Sequence, residues 1–361
     1  MAGFEGTRWA SQQGLYSLKK KHLEIREVDD KVFAVSRSIH YGLFLAFEGI
    51  RFFVRKENGQ ALLYFANLNH NLERFRRSMA FNLSGGQQSL LPETRELANM
   101  IRDFFAHPSM QPFIEEMAQM GCQGYLRPFT CDEAMSIGVT FPEDPAIRLV
   151  ACRYDRYLGE PFTGVVIPHL VRAVTANKTG CLKLGVNYLV SVKAVDAARA
   201  IEAEASAALF LDDRPDLPIT ERTVSEWDSS CCLFALADGS IIKIPEHPLI
   251  LPSVTIQGIC SILRSWGVKV IERHLKYGEL LAKHEKNELV TICSIGTAGI
   301  LNRADRLVLL DSEGKPCGEH RADKSHPLYT KLGEARQYYW DIYRGLVPTV
   351  PGIKLQSMSA E

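Results

Sequence analysis

One lysine stands in a sequence context that suits covalent chemistry. Lys183 lies four residues before the Asn187-Tyr188 pair, in the segment Leu-Lys-Leu-Gly-Val-Asn-Tyr, at the opening of a predicted helix. An uncharged lysine amine can condense with a carbonyl group, so the position is a candidate for nucleophilic catalysis. For a single lysine taken alone, a solvated surface side chain is the simpler interpretation.

Several other segments bear on that choice, because they follow a single known pattern in the same order along the chain. They are His40-Tyr41-Gly42, Phe47-Glu48-Gly49-Ile50-Arg51, Arg74-Phe75-Arg76-Arg77-Ser78, Tyr125-Leu126-Arg127-Pro128, Tyr157-Leu158-Gly159, Leu251-Pro252-Ser253-Val254-Thr255 and Gly296-Thr297-Ala298. Together with the segment around Lys183, they resemble the branched-chain amino-acid aminotransferases. The resemblance runs from about residue 30 to about residue 320.

The resemblance implies a fold and a reaction. The expected fold is the two-domain, fold-type IV architecture of pyridoxal-phosphate enzymes, an α+β class with a β-barrel-like core in the larger domain. The expected activity moves an amino group between an apolar L-amino acid and a 2-oxo acid such as 2-oxoglutarate. Pyridoxal 5'-phosphate would be the cofactor, held by Lys183 through a Schiff base.

The resemblance also assigns the residues that hold the cofactor. Tyr188 would bind its phenolic oxygen, with a merely packed aromatic ring as the alternative. Arg74 would bind the phosphate, although Arg76 and Arg77 beside it also fit a solvated basic helix face. Val254 and Thr255, at the amino end of a helix, would offer backbone N–H groups to the phosphate, and Thr297 would offer its hydroxyl. A plain helix cap is the alternative for Thr255.

The acid that would hold the proton of the pyridine nitrogen has two candidates. The family places a glutamate shortly before the strand that begins near Leu233, and this chain is longer there. Glu226 is one residue too far from Leu233 and Glu221 is six too far, so the spacing favours Glu226. Two exposed loop acids are the alternative.

For the substrate, the resemblance implies a pocket made mostly of aromatic side chains: Tyr41, Phe47, Tyr125 and Tyr157. The α-carboxylate would meet Tyr125 and the turn at Thr297-Ala298. Arg127 would receive a second carboxylate, such as that of glutamate, and a structural ion pair is an equally good interpretation of this arginine. In the family the first hairpin reaches the pocket of a second subunit, so a homodimer is expected.

The elements that must position these residues can be predicted in outline. Strands are expected over 32–35, 50–55 and 61–65, the last two joined by an Asn58-Gly59 hairpin turn. Helical periodicity follows over 69–79 and 92–106, and again over 187–205, 254–266 and 272–286. Further strands are expected over 208–211, 233–236, 241–244 and 289–294. We predict a small amino-terminal α+β domain over 1–152, an interdomain loop over 153–166 and a large cofactor-binding domain over 167–361.

Composition excludes several other classes of function. The chain has 361 residues, 46% of them hydrophobic, and its 42 basic residues balance 42 acidic ones, so no nucleic-acid or membrane partner is expected. Nine scattered cysteines without CxxC spacing suit reduced thiols and no metal site. With no signal peptide or apolar span in the sequence, we expect a cytoplasmic protein with amino-acid and 2-oxo-acid substrates.

Departures from the family pattern keep other functions open. Ser253 replaces a glycine, Ile256 stands where arginine is common, and Val186 replaces the second glycine after the lysine. We therefore expect a divergent member, serving a specialised biosynthetic pathway. The alternatives are a lyase or an amine or D-amino-acid transaminase on the same fold, and a non-catalytic homologue with weakened cofactor binding.

Overall fold

The computed structural model describes residues 3–172 and 179–360. The first residue of the predicted amino-terminal domain, 1, and the last residue of the predicted carboxyl-terminal domain, 361, lie outside the described residues. The side chains of Gly3, Phe4 and Leu158 are likewise not described. Eight helices are found in the described ranges: α1 Arg37–Tyr41, α2 Leu68–Phe81, α3 Thr94–Ala106, α4 Gln111–Met120, α5 Tyr188–Ile201, α6 Val254–Ser265, α7 Tyr277–Glu285 and α8 Pro327–Arg344. Within these ranges no helix has both the length and the apolarity needed to cross a bilayer.

The first sheet has seven strands, all paired antiparallel. The strands are β2 Arg8–Ser17, β3 His22–Glu27, β4 Ile50–Glu57, β5 Gln60–Ala66, β6 Gln123–Asp132, β7 Pro145–Tyr154 and β18 Leu355–Ser359. Their spatial order is β18-β5-β4-β6-β7-β2-β3. The predicted turn is confirmed: Asn58 and Gly59 both have positive φ, as a two-residue hairpin loop requires, and join β4 to β5.

Helices α2, α3 and α4 cover this sheet with an aromatic core. The rings of Phe52, Phe65, Phe104 and Phe105 are all buried, and their neighbouring centroids lie 5.0–5.9 Å apart. Close packing extends to the backbone, because a Cβ on Gly124 would collide with the Phe52 ring. The core holds β4 and β6 rigidly, and both strands contribute residues to the site described below.

The second sheet has nine strands of mixed direction. The strands are β9 Phe162–Ile167, β10 Ala207–Leu211, β11 Val224–Trp227, β12 Cys231–Leu236, β13 Ile241–Lys243, β14 Val270–Glu272, β15 Leu289–Gly296, β16 Ile300–Leu310 and β17 Pro316–Arg321. Their spatial order is β11-β10-β9-β16-β15-β12-β13-β14, with β17 paired to β16. A separate two-stranded ribbon pairs β1 Gly3–Glu5 with β8 Arg156–Leu158. The largest hydrophobic core lies between the second sheet and helices α6, α7 and α8.

The predicted interdomain loop over 153–166 is wrong in its extent. Strand β7 continues to Tyr154, β8 occupies Arg156–Leu158, and Phe162–Ile167 is a strand between β10 and β16 with parallel neighbours on both sides. A strand buried on both faces shows a continuous apolar run, which sequence reasoning cannot separate from a connector when glycine and proline precede it. Within 153–166, only Asp155 and residues 159–161 lie outside the strands.

Two further expectations are corrected. Residues 32–35 form no strand, and the chain instead enters helix α1, whose start is capped by Ser36. Strand β18 returns to pair with β5, so the carboxyl-terminal end belongs to the first sheet and not to a continuous domain over 167–361. The pairing of β18 with β5 depends on contacts between residues far apart in the sequence.

Candidate functional site

A cavity of about 290 Å³ brings together most of the predicted site residues. The first sheet and the segments beside it contribute Phe47, Tyr125 and Arg127, and the rest of the chain contributes Tyr157, Lys183, Tyr188, Ser229, Ser230, Ser294, Gly296, Thr297, Ala298, Gly299 and Asn302. A second cavity, of about 470 Å³, is lined by Asp212, His247, His274 and Lys276 among others and by none of the predicted residues. The first cavity is the candidate site.

Lys183 is held by its backbone between the first sheet and helix α2. Its N–H donates to Ser78 Oγ at 2.9 Å, and its carbonyl accepts the N–H of Phe47 at 3.0 Å. The side chain is half-buried, and its Nζ donates to the hydroxyl of Tyr188 at 3.0 Å and lies 4.9 Å from the centroid of the Phe47 ring. The lysine therefore points into the cavity and not into solvent.

Tyr188 begins helix α5, and its ring packs on Phe47 with centroids 5.1 Å apart. Burial raises the pKa of the Tyr188 phenol, but the neighbouring cations Lys183 and Arg172 outweigh it, so the pKa lies below its usual value. Such a phenol is a strong hydrogen-bond partner for an oxygen or nitrogen atom in the cavity.

We predict that Tyr188→Phe lowers kcat/KM for the amino transfer that the resemblance implies by about 10- to 100-fold, because a charged hydrogen bond made by the Tyr188 hydroxyl in the cavity is worth about 1.5–3 kcal/mol. Steady-state kinetics at pH 8 measures this effect, with circular dichroism as the check on folding. A variant with unchanged kcat/KM would leave Tyr188 only the packing role of its ring.

Glu226 lies on strand β11, and Glu221 lies on a short 3-10 turn at the surface. Glu226 is 1% exposed, and its Oε1 is 2.8 Å from the Nη1 of Arg172, which is 3% exposed. Its carboxylate also accepts the N–H of Leu251 at 3.2 Å. Burial raises the pKa of Glu226 to about 7, and Arg172 only partly opposes this. Of the two candidates, only Glu226 has the buried surroundings that a cofactor-binding acid needs.

Arg74 lies on α2 beside the amino end of α6. Its Nε and Nη2 donate to the two carboxylate oxygens of buried Glu48 at 2.8 and 2.5 Å, and its Nη1 donates to the carbonyl of Pro252 at 2.5 Å. Burial disfavours both charges, but the attraction between the two side chains outweighs it. The pKa of Arg74 is therefore raised and the pKa of Glu48 is lowered. These contacts use three of the five N–H groups of Arg74, so the arginine retains two for an anion.

The start of α6 adds backbone donors at the same place. Ser253, not Thr255, is the helix cap, because the Ser253 hydroxyl accepts the N–H of Ile256 at 3.3 Å. The N–H groups of Val254 and Thr255, in the first turn, have no partner within the helix itself. Arg74 contacts the carbonyl of Pro252, two residues before α6 begins. A cation beside the free N–H groups at a helix amino end is the arrangement that binds anions.

The turn at Thr297-Ala298 is held by Arg51, a residue to which the sequence analysis assigns no role. Arg51 of β4 donates to the carbonyl oxygens of Thr297, at 3.1 Å from Nε, and of Ala298, at 2.5 Å. Its guanidinium lies 5.4 Å from the centroid of the Trp340 ring. The first sheet thus fixes a turn of the second sheet, and the only sequence signal for this is the position of Arg51 within the matched Phe-Glu-Gly-Ile-Arg segment.

Arg127 of β6 lies against aromatic side chains. Its Nη2 donates to the hydroxyl of Tyr125 at 2.8 Å, and the guanidinium lies 4.6 Å from the centroid of the Phe47 ring. Within residues 3–172 and 179–360, no carboxylate forms an ion pair with it. The structure therefore does not give Arg127 the structural ion pair that was one of the two interpretations.

Tyr41 is the one predicted substrate residue that the chain keeps away from the cavity. Its side chain is 47% exposed at the end of α1, and its hydroxyl donates to the carbonyl of Ile137 at 3.1 Å. A single chain therefore gives Tyr41 no place in the pocket, and its assignment stays a prediction that requires a second subunit.

No family model matches the chain, but several known proteins are similar to it. Branched-chain-amino-acid transaminase 1 of Bacillus subtilis is 25% identical over 278 residues, which cover 75% of this chain and 71% of that protein. Transaminase AMT5 of Alternaria alternata is 24% identical over 322 residues, 85% of this chain and 77% of that protein.

Solved structures show the same fold. The branched-chain aminotransferase of Thermoproteus uzoniensis with norvaline aligns with a TM-score of 0.67 at 19% identity, over 97% of this chain and 100% of that one. An aminotransferase of Brucella abortus bound to pyridoxal phosphate aligns with a TM-score of 0.64 at 18% identity, over 92% of this chain and 99% of that one.

These likenesses define a fold-type IV protein, which confirms the predicted fold class. The chain is similar in sequence and in fold to branched-chain aminotransferases, so the predicted resemblance is confirmed.

Proposed function

We propose that this chain is a pyridoxal-phosphate-dependent aminotransferase. The observation that carries the proposal is that Lys183 and Tyr188 line one cavity, with the buried Glu226–Arg172 pair and the buried Arg74 close enough to act electrostatically on them. Arg74 and the amino end of α6 would form the anion site. Lysine, acid, phenol and anion site are the four groups that this cofactor needs, so the residues present fit it. The relatives, all named as transaminases or aminotransferases, support the same enzyme class.

When bound, the cofactor supplies an electron sink for the bond that breaks at the substrate's Cα. The chain's own groups do the remaining work. Lys183 Nζ would hold the cofactor covalently, and its free amine would move a proton at the substrate's Cα. Glu226 would hold the proton of the pyridine nitrogen, and Tyr188 would bind the phenolic oxygen. Arg74, the N–H groups of α6 and the hydroxyl of Thr297 would bind the phosphate.

For the substrates we propose the positions that the cavity provides. The α-carboxylate would meet Tyr125 and the turn at Thr297-Ala298, which Arg51 holds in place. Arg127, with no ion-pair partner among the described residues and with its guanidinium at the cavity wall, would bind the second carboxylate of 2-oxoglutarate or glutamate. An apolar L-amino acid, a cytoplasmic location and a specialised pathway stay predictions from the resemblance.

Turnover assays of the purified protein with added pyridoxal phosphate test the proposal. We expect glutamate to form only when both an L-amino acid and 2-oxoglutarate are present. Turnover without any 2-oxo acid, with release of ammonia, would indicate the lyase alternative, and preference for D-amino acids or simple amines the other transaminase types. Failure to bind the cofactor would favour the non-catalytic homologue. Equal turnover of leucine, isoleucine and valine would count against a specialised role.

We further propose that the working form is a homodimer. Around Tyr41 lies an exposed apolar surface, which we call the 41/137 patch: Val35, Ile39, Tyr41, Met135, Ile137, Val139, Phe141, Val186 and Leu189. Three contacts join segments of the patch: Tyr41 contacts Ile137, Ser136 contacts Val35 through backbone atoms, and Gly42 lies against Val186. So large an apolar surface favours a protein partner. A second copy would cover it and carry Tyr41 toward the neighbouring cavity.

We predict that Val139→Asp converts the dimer to a monomer and lowers activity at least 10-fold, because an unpaired charge in an apolar interface costs several kcal/mol. Light scattering coupled to size exclusion measures the mass, and Leu346→Asp is the control because Leu346 is exposed outside the patch. A wild-type protein that is monomeric and fully active would refute this part of the proposal.

A further inference from the structure

The second sheet forms a polar wall of the cavity. The sequence segments that match the family do not indicate this polarity. Ser294 of β15 and Asn302 of β16 are direct partners across the two strands, so their side chains project from the same face of the sheet. Ser230, just before β12, lies beside them, with its Oγ 2.7 Å from Ser294 Oγ. All three side chains line the cavity. We call Ser230, Ser294 and Asn302 the polar row.

Asn302 is the buried member of the row. It is 5% exposed, and its Oδ1 has no hydrogen-bond partner among the described residues. Burying an amide oxygen without a donor is unfavourable, and native structures rarely contain such a group unless a ligand or water satisfies it. The amide can rotate by 180° about the Cβ–Cγ bond, which exchanges the positions of its oxygen and its NH₂ group, so either group can face a ligand.

Neighbouring backbone keeps Asn302 in this position. A Cβ on Gly159 would lie 2.5 Å from both amide heavy atoms of Asn302, and a Cβ on Gly299 would collide with the same side chain and with the Tyr157 ring. The amide is therefore wedged between two glycines. Since it has no room to withdraw, Asn302 keeps its place on the wall of the cavity.

The two serines add a complementary group. One hydroxyl of the Ser230–Ser294 pair donates its hydrogen to the other, which leaves one O–H donor and several lone pairs in the pair as a whole. Asn302 and the serine pair can thus accept from and donate to one ligand. None of the described residues lining this cavity is acidic, so a cationic side chain would find no counter-charge there.

We infer that the polar row selects an amino-acid substrate with an uncharged hydrogen-bonding side chain, a hydroxyl or a carboxamide, in place of the apolar side chain that the resemblance implies. The inference rests on the proposed transaminase function and narrows its substrate. Arg127 faces the cavity from the first sheet and serves the acidic 2-oxo-acid partner, so the two substrates use opposite walls for their side chains. A purely aliphatic substrate side chain would leave the polar row without hydrogen-bond partners.

Isosteric substrate pairs test this directly. Enzyme loaded with pyridoxal phosphate is mixed with L-threonine or L-valine, and with L-asparagine or L-leucine, and the change in cofactor absorbance gives the half-reaction rate against concentration. We expect the second-order rate constant to be about 10-fold or more higher for the polar member of each pair, the factor for one satisfied hydrogen bond. Asn302→Leu, which keeps the side chain's shape, should remove the preference.

Ser294→Ala provides a second variant in case Asn302→Leu folds poorly, and Ser265→Ala is the matched control because Ser265 bonds only within α6, outside the cavity. We expect Ser294→Ala to lower the polar preference and Ser265→Ala to leave it unchanged. Faster reaction with valine and leucine, or a preference that survives both cavity variants, would overturn the inference and leave transamination standing. Absence of any half-reaction, although the cofactor is bound, would overturn the proposed function as well.

Discussion

Replacing Lys183 with alanine is expected to abolish covalent attachment of pyridoxal phosphate and to lower kcat at least about 10³-fold. Lys183 Nζ is the amine that the structure directs into the cavity, 3.0 Å from the Tyr188 hydroxyl and 4.9 Å from the Phe47 ring centroid. The variant loses both the nucleophile and the base that moves a proton at Cα, and proton transfer alone contributes about 10²–10⁴-fold.

Absorbance spectra of wild type and variant, followed by borohydride reduction and peptide mapping, locate the attachment site. Lys193→Ala is the matched control, because Lys193 is exposed on the nearby helix α5. A reduced cofactor found on Lys183 in both wild type and control, and absent from the variant, is the expected result. Attachment to another lysine, or a fully active Lys183→Ala variant, would remove the basis of the proposed function.

Glu226→Gln is expected to lower kcat/KM by about 10²–10³-fold with the cofactor still attached. The glutamine keeps the volume of the buried side chain but loses the negative charge that would hold a proton on the pyridine nitrogen. At about 1.36 kcal/mol per factor of ten, this loss corresponds to about 2.7–4.1 kcal/mol of transition-state stabilisation. Glu221→Gln, at the exposed candidate position, should remain within a factor of two of wild type, and equal effects of the two variants would contradict the assignment.

The pKa of Glu226 also predicts that the free energy of unfolding depends on pH. Burial raises the pKa of Glu226 to about 7 from an ordinary value of 4.5, so between these values the folded chain holds more of the proton than the unfolded chain does. The stability that this group contributes is therefore highest at low pH and falls as the pH rises through 7. The difference corresponds to roughly 3 kcal/mol when fully developed.

Urea unfolding of the cofactor-free protein at pH 5 and pH 8 measures this change. We expect the wild type to lose on the order of 2–3 kcal/mol more than Glu226→Gln between the two pH values, because the glutamine does not titrate. Other groups, such as Asp228, whose pKa burial raises to about 6, are common to both proteins and cancel in the comparison. A parallel loss in both proteins would show that Glu226 does not titrate in this range.

Sequence reasoning reached further for the site than for the fold. The strands and helices around the matched segments, such as β4, β5, α2 and α6, were predicted within a few residues, because apolar periodicity and turn residues are local signals. Strands β2 and β3 and helices α4 and α8 were not predicted. Their apolar residues pack against distant elements, and no local pattern marked them.

By itself, the sequence determined which chemical groups exist and in what order: a lysine before Asn-Tyr, an arginine on a helix, and a choice of two acids. Only the tertiary structure decided that Glu226 is the buried acid, that Arg172 pairs with it and that Arg51 holds the turn at Thr297-Ala298. It also placed Asn302, whose Oδ1 is unpaired among the described residues, on the wall of the cavity. These contacts join residues 54 to 247 positions apart or lie across strands, so they form only when chain folding brings distant segments together, which local propensity does not encode.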